Sequence, residues 1–323
     1  MLFRSDCVTD GFSNTADANG KHGCNFGNTE VSDHFGRFIP DHFDTSVTQA
    51  CVRDDSVESF TYSGQPFPLT ITARNQAGGE AANYSGAFAR QVSLTARDAA
   101  DTADNPGPGS LSLTNVLASA FSGGVANANP SYAFTNQRTA QTAVRVRASE
   151  SEVTSLRSPT SLTVEGAASI LSGRARIANA YGSELLDLPV LFRTEAWDGN
   201  GWVLNTLDSC TGDTALDPGN SVSVSVTPGS PAVPVCVLDS GSPGLSGAGC
   251  AIPGGADKKF KTGAPSSPGF AGDFNLWLKA TGPGNLGSAE LNVTGPEWLG
   301  TVPSTMVTFG QYRSPLIYRR EVF

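Results

Sequence analysis

Three histidines and six cysteines bound the side-chain chemistry open to this chain of 323 residues. His34 and His42 lie in Asp33-His-Phe-Gly-Arg-Phe-Ile-Pro-Asp-His-Phe43, each directly after an aspartate. A metal centre needs imidazoles and carboxylates brought to one point, and local geometry does not bring two such pairs together across Pro40. A Ser-His-Asp triad needs its nucleophile held at a strained elbow, and no G-x-S-x-G occurs. Thr15-Ala-Asp-Ala-Asn-Gly-Lys21 sets Asp17, Asn19 and Gly20 like part of a calcium loop. Thr15 stands where the opening acid belongs and Phe26 where the bidentate glutamate belongs, so the segment reads as an Asx-rich turn. Glu184, Asp187, Glu195 and Asp198 fall in one expected strand pair. A glycosidase sets two acids across a cleft, whereas surface acids suit a net charge of −9. No catalytic residue, metal ligand or cofactor is assigned, and the expectation is a protein that is not an enzyme.

The cysteines are Cys7, Cys24, Cys51, Cys210, Cys236 and Cys250. None forms the C-x-x-C pair that zinc ribbons and thioredoxin-like sites use. An even number without that spacing reads as disulfides formed in an oxidising compartment. Cys7 and Cys24 are the most plausible bridge, and the other four allow three pairings that sequence does not choose between. Trp197 and Trp202 flank Asp198-Gly-Asn-Gly201 and should face each other across a hairpin. Such a pair stabilises the hairpin; its functional alternative is a platform on which a sugar ring stacks. Trp277 is out of phase with Leu276 and Leu278, so it points away from the face they share.

The elements that would position these residues are strands. Phe67-Pro-Leu-Thr-Ile-Thr-Ala73, Val92–Ala96, Val144-Arg-Val-Arg-Ala148, Leu162–Val164, Val222–Val226 and Leu276–Ala280 alternate apolar and polar residues. A period of two buries one face and wets the other. Ser, Thr and Arg hold most of the wet positions. Turn clusters such as Asn75–Gly79, Asp104–Gly109, Asp217–Gly219 and Gly282–Gly284 separate the runs. Leu111 to Phe121 reads as a strand running into a loop or short helix. With 36 glycines, 20 prolines and 16% charged residues, coiled coils and long-helix bundles are excluded. The acidic balance argues against nucleic-acid partners, and no window approaches the roughly 18 apolar residues of a membrane-crossing helix.

The expected fold class is all-β: two tandem Ig-like antiparallel β-sandwich domains after a short cysteine-containing N-terminal segment. Residues 1–36 would be the tail of a truncated upstream module and a linker, since Met1–Cys7 lacks the apolar stretch of a signal peptide. Residues 37–166 would form the first sandwich and 172–323 the second, with a Gly/Ser/Pro-rich insertion near 239–268. Leu316-Ile-Tyr-Arg-Arg-Glu-Val-Phe323 is strongly strand-forming and would either pair internally or be donated to a partner's sheet edge.

Several segments together carry a resemblance: Gly36–Phe43, Phe60-Thr-Tyr-Ser-Gly-Gln-Pro-Phe67, Gly173–Leu185, Trp202-Val-Leu-Asn-Thr-Leu-Asp-Ser-Cys210 and Thr308–Phe323. The combination resembles the C-terminal region of MshQ-like proteins, bacterial surface or envelope proteins linked to biogenesis of the MSHA type IV pilus. The resemblance runs from about residue 7 to the end. It implies a Gram-negative extracellular or cell-surface location and pilus components or surface glycans as partners. It implies no biochemical activity. Two functions remain open at this level: a non-catalytic structural and adhesive module, and a carbohydrate-binding or carbohydrate-active sandwich.

Overall fold

A computed structural model describes residues 39–52, 59–100, 104–155, 164–212, 217–220, 222–238, 258–259 and 272–310. The chain is all-β and Ig-like, and its only helices among the described residues are short 3-10 turns. Its contacts divide it into two compact units. The first comprises Met1–Thr48, Phe67–Ser131 and Ala143–Ala168; the second comprises Gln49–Pro66, Tyr132–Thr142 and Ser169–Phe323.

In the first unit, strand Leu69–Arg74 sits between His42–Val47 and Val125–Ala128, antiparallel to both. Val92–Asp98 lies between Thr142–Ser149 and Asn115–Val116. The alternation does what a period of two requires: Leu69, Ile71 and Ala73 are buried, as are Val144, Val146 and Ala148. Phe43, Tyr84 and Phe121 close the core, with Tyr84 edge-on to both partners at 5.6 and 5.0 Å between ring centroids. From Leu111 to Phe121 the chain is the end of strand Gly109–Leu111, the short strand Asn115–Val116 and a 3-10 turn at Ala118–Ala120.

One position departs from the simple pattern. Arg147 falls in a wet phase of its strand yet is only 7% exposed. Asp104 accepts its two Nη groups at 2.6 and 2.8 Å, and Glu165 accepts its Nε at 2.6 Å. A desolvated guanidinium is tolerated because both carboxyls are in hydrogen-bonding geometry. Asp104 is held below the usual carboxylate range by these bonds, and the Arg147 guanidinium is held correspondingly higher.

The second unit is a two-sheet sandwich. One sheet runs in the order Gly173–Ile177, Leu188–Trp197, Asp273–Leu278, Val237–Leu238, with Trp202–Leu204 added beside the end of Leu188–Trp197. The other runs Ala180–Gly182, Thr305–Phe309, Gly287–Thr294, Ser223–Pro228, Lys258–Lys259. Every pairing within them is antiparallel except that of Ala180–Gly182 with Thr305–Phe309. The first strand of the sandwich therefore starts in one sheet and finishes in the other, as Ig-like sandwiches do. Val190, Leu278, Leu291 and Val307 fill the centre. Cys51, Phe60 and Tyr62 join the same core, although they come from the 49–66 segment. Gly173 is glycine for a steric reason here, because a Cβ at that position would collide with the Tyr62 ring.

Candidate functional site

The hairpin around Asp198 is built by its own turn. The Asp198 Oδ1 accepts the backbone N–H of Asn200 at 2.8 Å and of Gly201 at 2.7 Å, which holds its carboxyl below the usual range. Gly199 takes φ +106°, a conformation costly for any other residue. The turn puts Trp197 and Trp202 in direct register, with ring centroids 5.5 Å apart and planes at 72°. Both rings are half-buried. The guanidinium of Arg174 lies 4.5 Å from the Trp202 ring centre and that of Arg138 lies 5.5 Å from that of Trp197. Arg174 is fixed in turn by Glu195, its cross-strand partner, through Nε at 2.6 Å.

The outcome is a row of Arg138, Trp197, Trp202 and Arg174 along the outer surface of the second unit. Each cation–π contact is worth about 0.5–1 kcal/mol at an exposed site. A pyranose stacking on either indole must use the face that the guanidinium leaves free. Of Trp277 only the backbone is described; its neighbours Leu276 and Leu278 are buried.

Three of the four acids have separate structural tasks. Glu195 holds Arg174, Asp198 closes the turn, and Asp187 accepts the Ala280 N–H at 2.7 Å. Glu184 lies in the turn before Leu188–Trp197. His42, 6% exposed, has Nδ1 2.8 Å from Asp41 and Nε2 3.5 Å from Asp44, and Asp44 also binds Arg74 at 2.6 Å. Among the described residues no three His, Cys, Asp or Glu side chains converge to hold a metal ion.

Cys51 and Cys210 form a disulfide across a sequence separation of 159. Cys236 is also disulfide-bonded. Beside the Cys51–Cys210 bridge lies a buried polar cluster that the sequence does not announce. Asp208, fully buried, accepts the backbone N–H of Cys210 and of Thr211, both at 2.9 Å, and the hydroxyls of Thr211 and Tyr62, both at 2.7 Å. Asn205 donates to the Tyr62 oxygen at 2.7 Å. Burial first, and then Asp208, push the Tyr62 phenol well above its usual pKa. The local signal was the Asp208-Ser-Cys-Thr211 turn, in which an aspartate caps the amides two and three residues on. The role of Tyr62, 146 residues away, carried no such signal. Cys7, Cys24, Cys250, His34, Asp17, Asn19, Gly20, Leu316–Phe323 and most of 239–268 lie outside the described residues.

Residues 15–164 match the model for DUF6701, third domain, and residues 171–322 match that for DUF6701, fourth domain. None of the curated proteins matches the chain in sequence. Among solved structures, the chain is similar to FdeC, an Escherichia coli adhesin, at 13% identity and a TM-score of 0.30, over 85% of this chain. It spans 66% of that chain, just under two thirds. It is also similar to a chimeric titin Z1Z2 tandem, at 11% identity and a TM-score of 0.20, over 82% of this chain and 98% of that one.

Proposed function

Because the chain belongs to the DUF6701 family, as its third and fourth domains in tandem, we propose that it is a non-catalytic extracellular module of a bacterial surface protein. Its role is structural and adhesive, in the service of an MSHA-like type IV pilus. The observation that carries the proposal is the buried bridge Cys51–Cys210 packed against the Asp208 cluster in a sandwich core. Such a core suits an oxidising exterior, where glutathione does not keep thiols reduced. Every acid examined as a candidate general acid or base, Glu184 apart, is committed to an arginine, an amide or a turn. The motifs shared with MshQ-like proteins supply the pilus element of the reading, and with it the Gram-negative surface.

The test uses the purified chain as bait in envelope extract and, displayed on cells, in an attachment assay. Retention of pilin subunits supports the pilus role. A chain that retains none and leaves attachment unchanged removes it. A second reading, carbohydrate binding, is favoured by the half-exposed Trp197–Trp202 pair with its flanking arginines. A glycan array showing no binding above background would remove that reading.

A further inference from the structure

A second feature of the same unit lies apart from the row of Arg138, Trp197, Trp202 and Arg174. A surface cavity of about 420 Å³ lies beside the edge strand Gly173–Ile177, its wall including Arg176, Asn179, Leu191, Arg193, Glu195 and Thr305. Ligand sites commonly fall in the range of roughly 300–1,000 Å³. Arg176 and Arg193 stand directly opposite each other on antiparallel strands, a placement in which like charges are destabilising. The acids nearby do not relieve it equally. Arg193 sends its Nε to Asp273 at 2.8 Å, while Glu195 is occupied by Arg174. The Arg176 side chain is exposed and, among the described residues, makes no ion pair or hydrogen bond. In a protein of net charge −9, the fold has left an unneutralised guanidinium in a concave site.

The rest of the wall narrows the ligand. Asn179 uses its Oδ1 to accept the Thr305 hydroxyl at 2.7 Å and the Met306 N–H at 3.0 Å. Its amide nitrogen is thereby left as the donor. Half-buried Leu191 and the buried Ile177 give an apolar floor. A guanidinium fork, an amide donor, a hydroxyl and an apolar floor together match a sugar ring that carries a carboxylate. We infer that this cavity binds an acidic saccharide, with the carboxylate on Arg176 and Arg193 and the ring over Leu191. The choice of a saccharide rests on the adhesive reading above; the demand for an anion rests on the two arginines alone.

The experiment titrates the whole purified chain, followed by NMR, with glucuronate, glucose and inorganic phosphate. Glucuronate is expected to bind, and glucose to bind at least about tenfold more weakly, which corresponds to about 1.4 kcal/mol. Arg176→Gln is expected to weaken glucuronate about tenfold with the unfolding midpoint unchanged. Arg90→Gln, whose arginine is paired with Glu150 and Glu152 in the first unit, should leave binding unchanged. Equal binding of glucose and glucuronate, an unaffected Arg176→Gln variant, or phosphate binding as tightly as glucuronate would each overturn the inference. Glucuronate binding without cell attachment would sink the adhesive reading alone, and attachment without glucuronate binding would sink this site alone.

Discussion

Replacing both Cys51 and Cys210 by alanine separates the covalent bridge from everything around it. The Cys210 N–H that caps Asp208 belongs to the backbone and survives the change. What is lost is the cross-link over a separation of 159 residues. On the chain-entropy account a loop of that length is worth about 5 kcal/mol, because the unfolded chain regains the freedom the bridge removed. Native bridges measured in other proteins give about 2–5 kcal/mol, so a loss of about 3–5 kcal/mol is expected here. Whole domains are stable by only about 5–15 kcal/mol, and the variant should sit close to unfolding. All four tryptophans, at 197, 202, 277 and 298, lie in the Ser169–Phe323 stretch of the second unit. Guanidinium unfolding followed by tryptophan fluorescence therefore reads that unit. The midpoint should fall and the denaturant slope should rise, since the uncrosslinked chain exposes more surface. A double variant that loses less than about 1 kcal/mol would refute the reasoning and would mean that the core holds residues 49–66 without the bridge.

Tyr62→Phe tests the polar cluster by pH. The raised folded-state pKa of Tyr62 means that its stabilising share is intact below about pH 10, the unfolded value, and is lost above it by about 1.4 kcal/mol per pH unit. The phenylalanine variant should be less stable at neutral pH yet lack that alkaline slope in fluorescence-monitored unfolding. Arg147→Met leaves Glu165, with a side chain 1% exposed, short of its main partner; calorimetry should show the first unit destabilised by about 3 kcal/mol or more with the second unit's transition in place. Arg174→Gln strips the Trp202 face and frees Glu195; a loss of about 1 kcal/mol and a red-shifted emission are expected, and an unchanged spectrum would count against the stacked row.

What could be read from the chain was what is local and periodic. Alternation at Leu69, Ile71 and Ala73 survives into the core because a sheet has two faces and only one of them is dry. The Trp197–Trp202 pairing was legible for a related reason, since a four-residue turn leaves its flanking residues little choice of partner. Periodicity says which side a residue faces and nothing about what covers that side. Arg147 was placed with the wet residues, yet Asp104 and Glu165, which bury it, lie 43 and 18 residues away. The Arg176–Arg193 opposition was equally hidden, because it exists only once the register of two strands is set.

Register across a long separation also decides how this protein can be cut. The match to the fourth family domain begins at residue 171, but the core of the second unit takes Cys51, Phe60 and Tyr62 from a segment far upstream. A chain starting at 171 would keep Cys210 without its partner and Asp208 without the Tyr62 hydroxyl. It would also leave vacant the volume of two aromatic rings that pack edge to face at 4.9 Å. Each such aromatic is worth about 3–5 kcal/mol by truncation, and the bridge adds a similar amount. The sum reaches the whole stability of an ordinary domain. Residues 171–323 expressed alone should therefore lack the sharp cooperative unfolding of the full chain, and adding the 49–66 segment ahead of them through a flexible linker should restore it. A cooperative transition in the short form at the midpoint of the full chain would show that the upstream segment decorates this core and does not complete it.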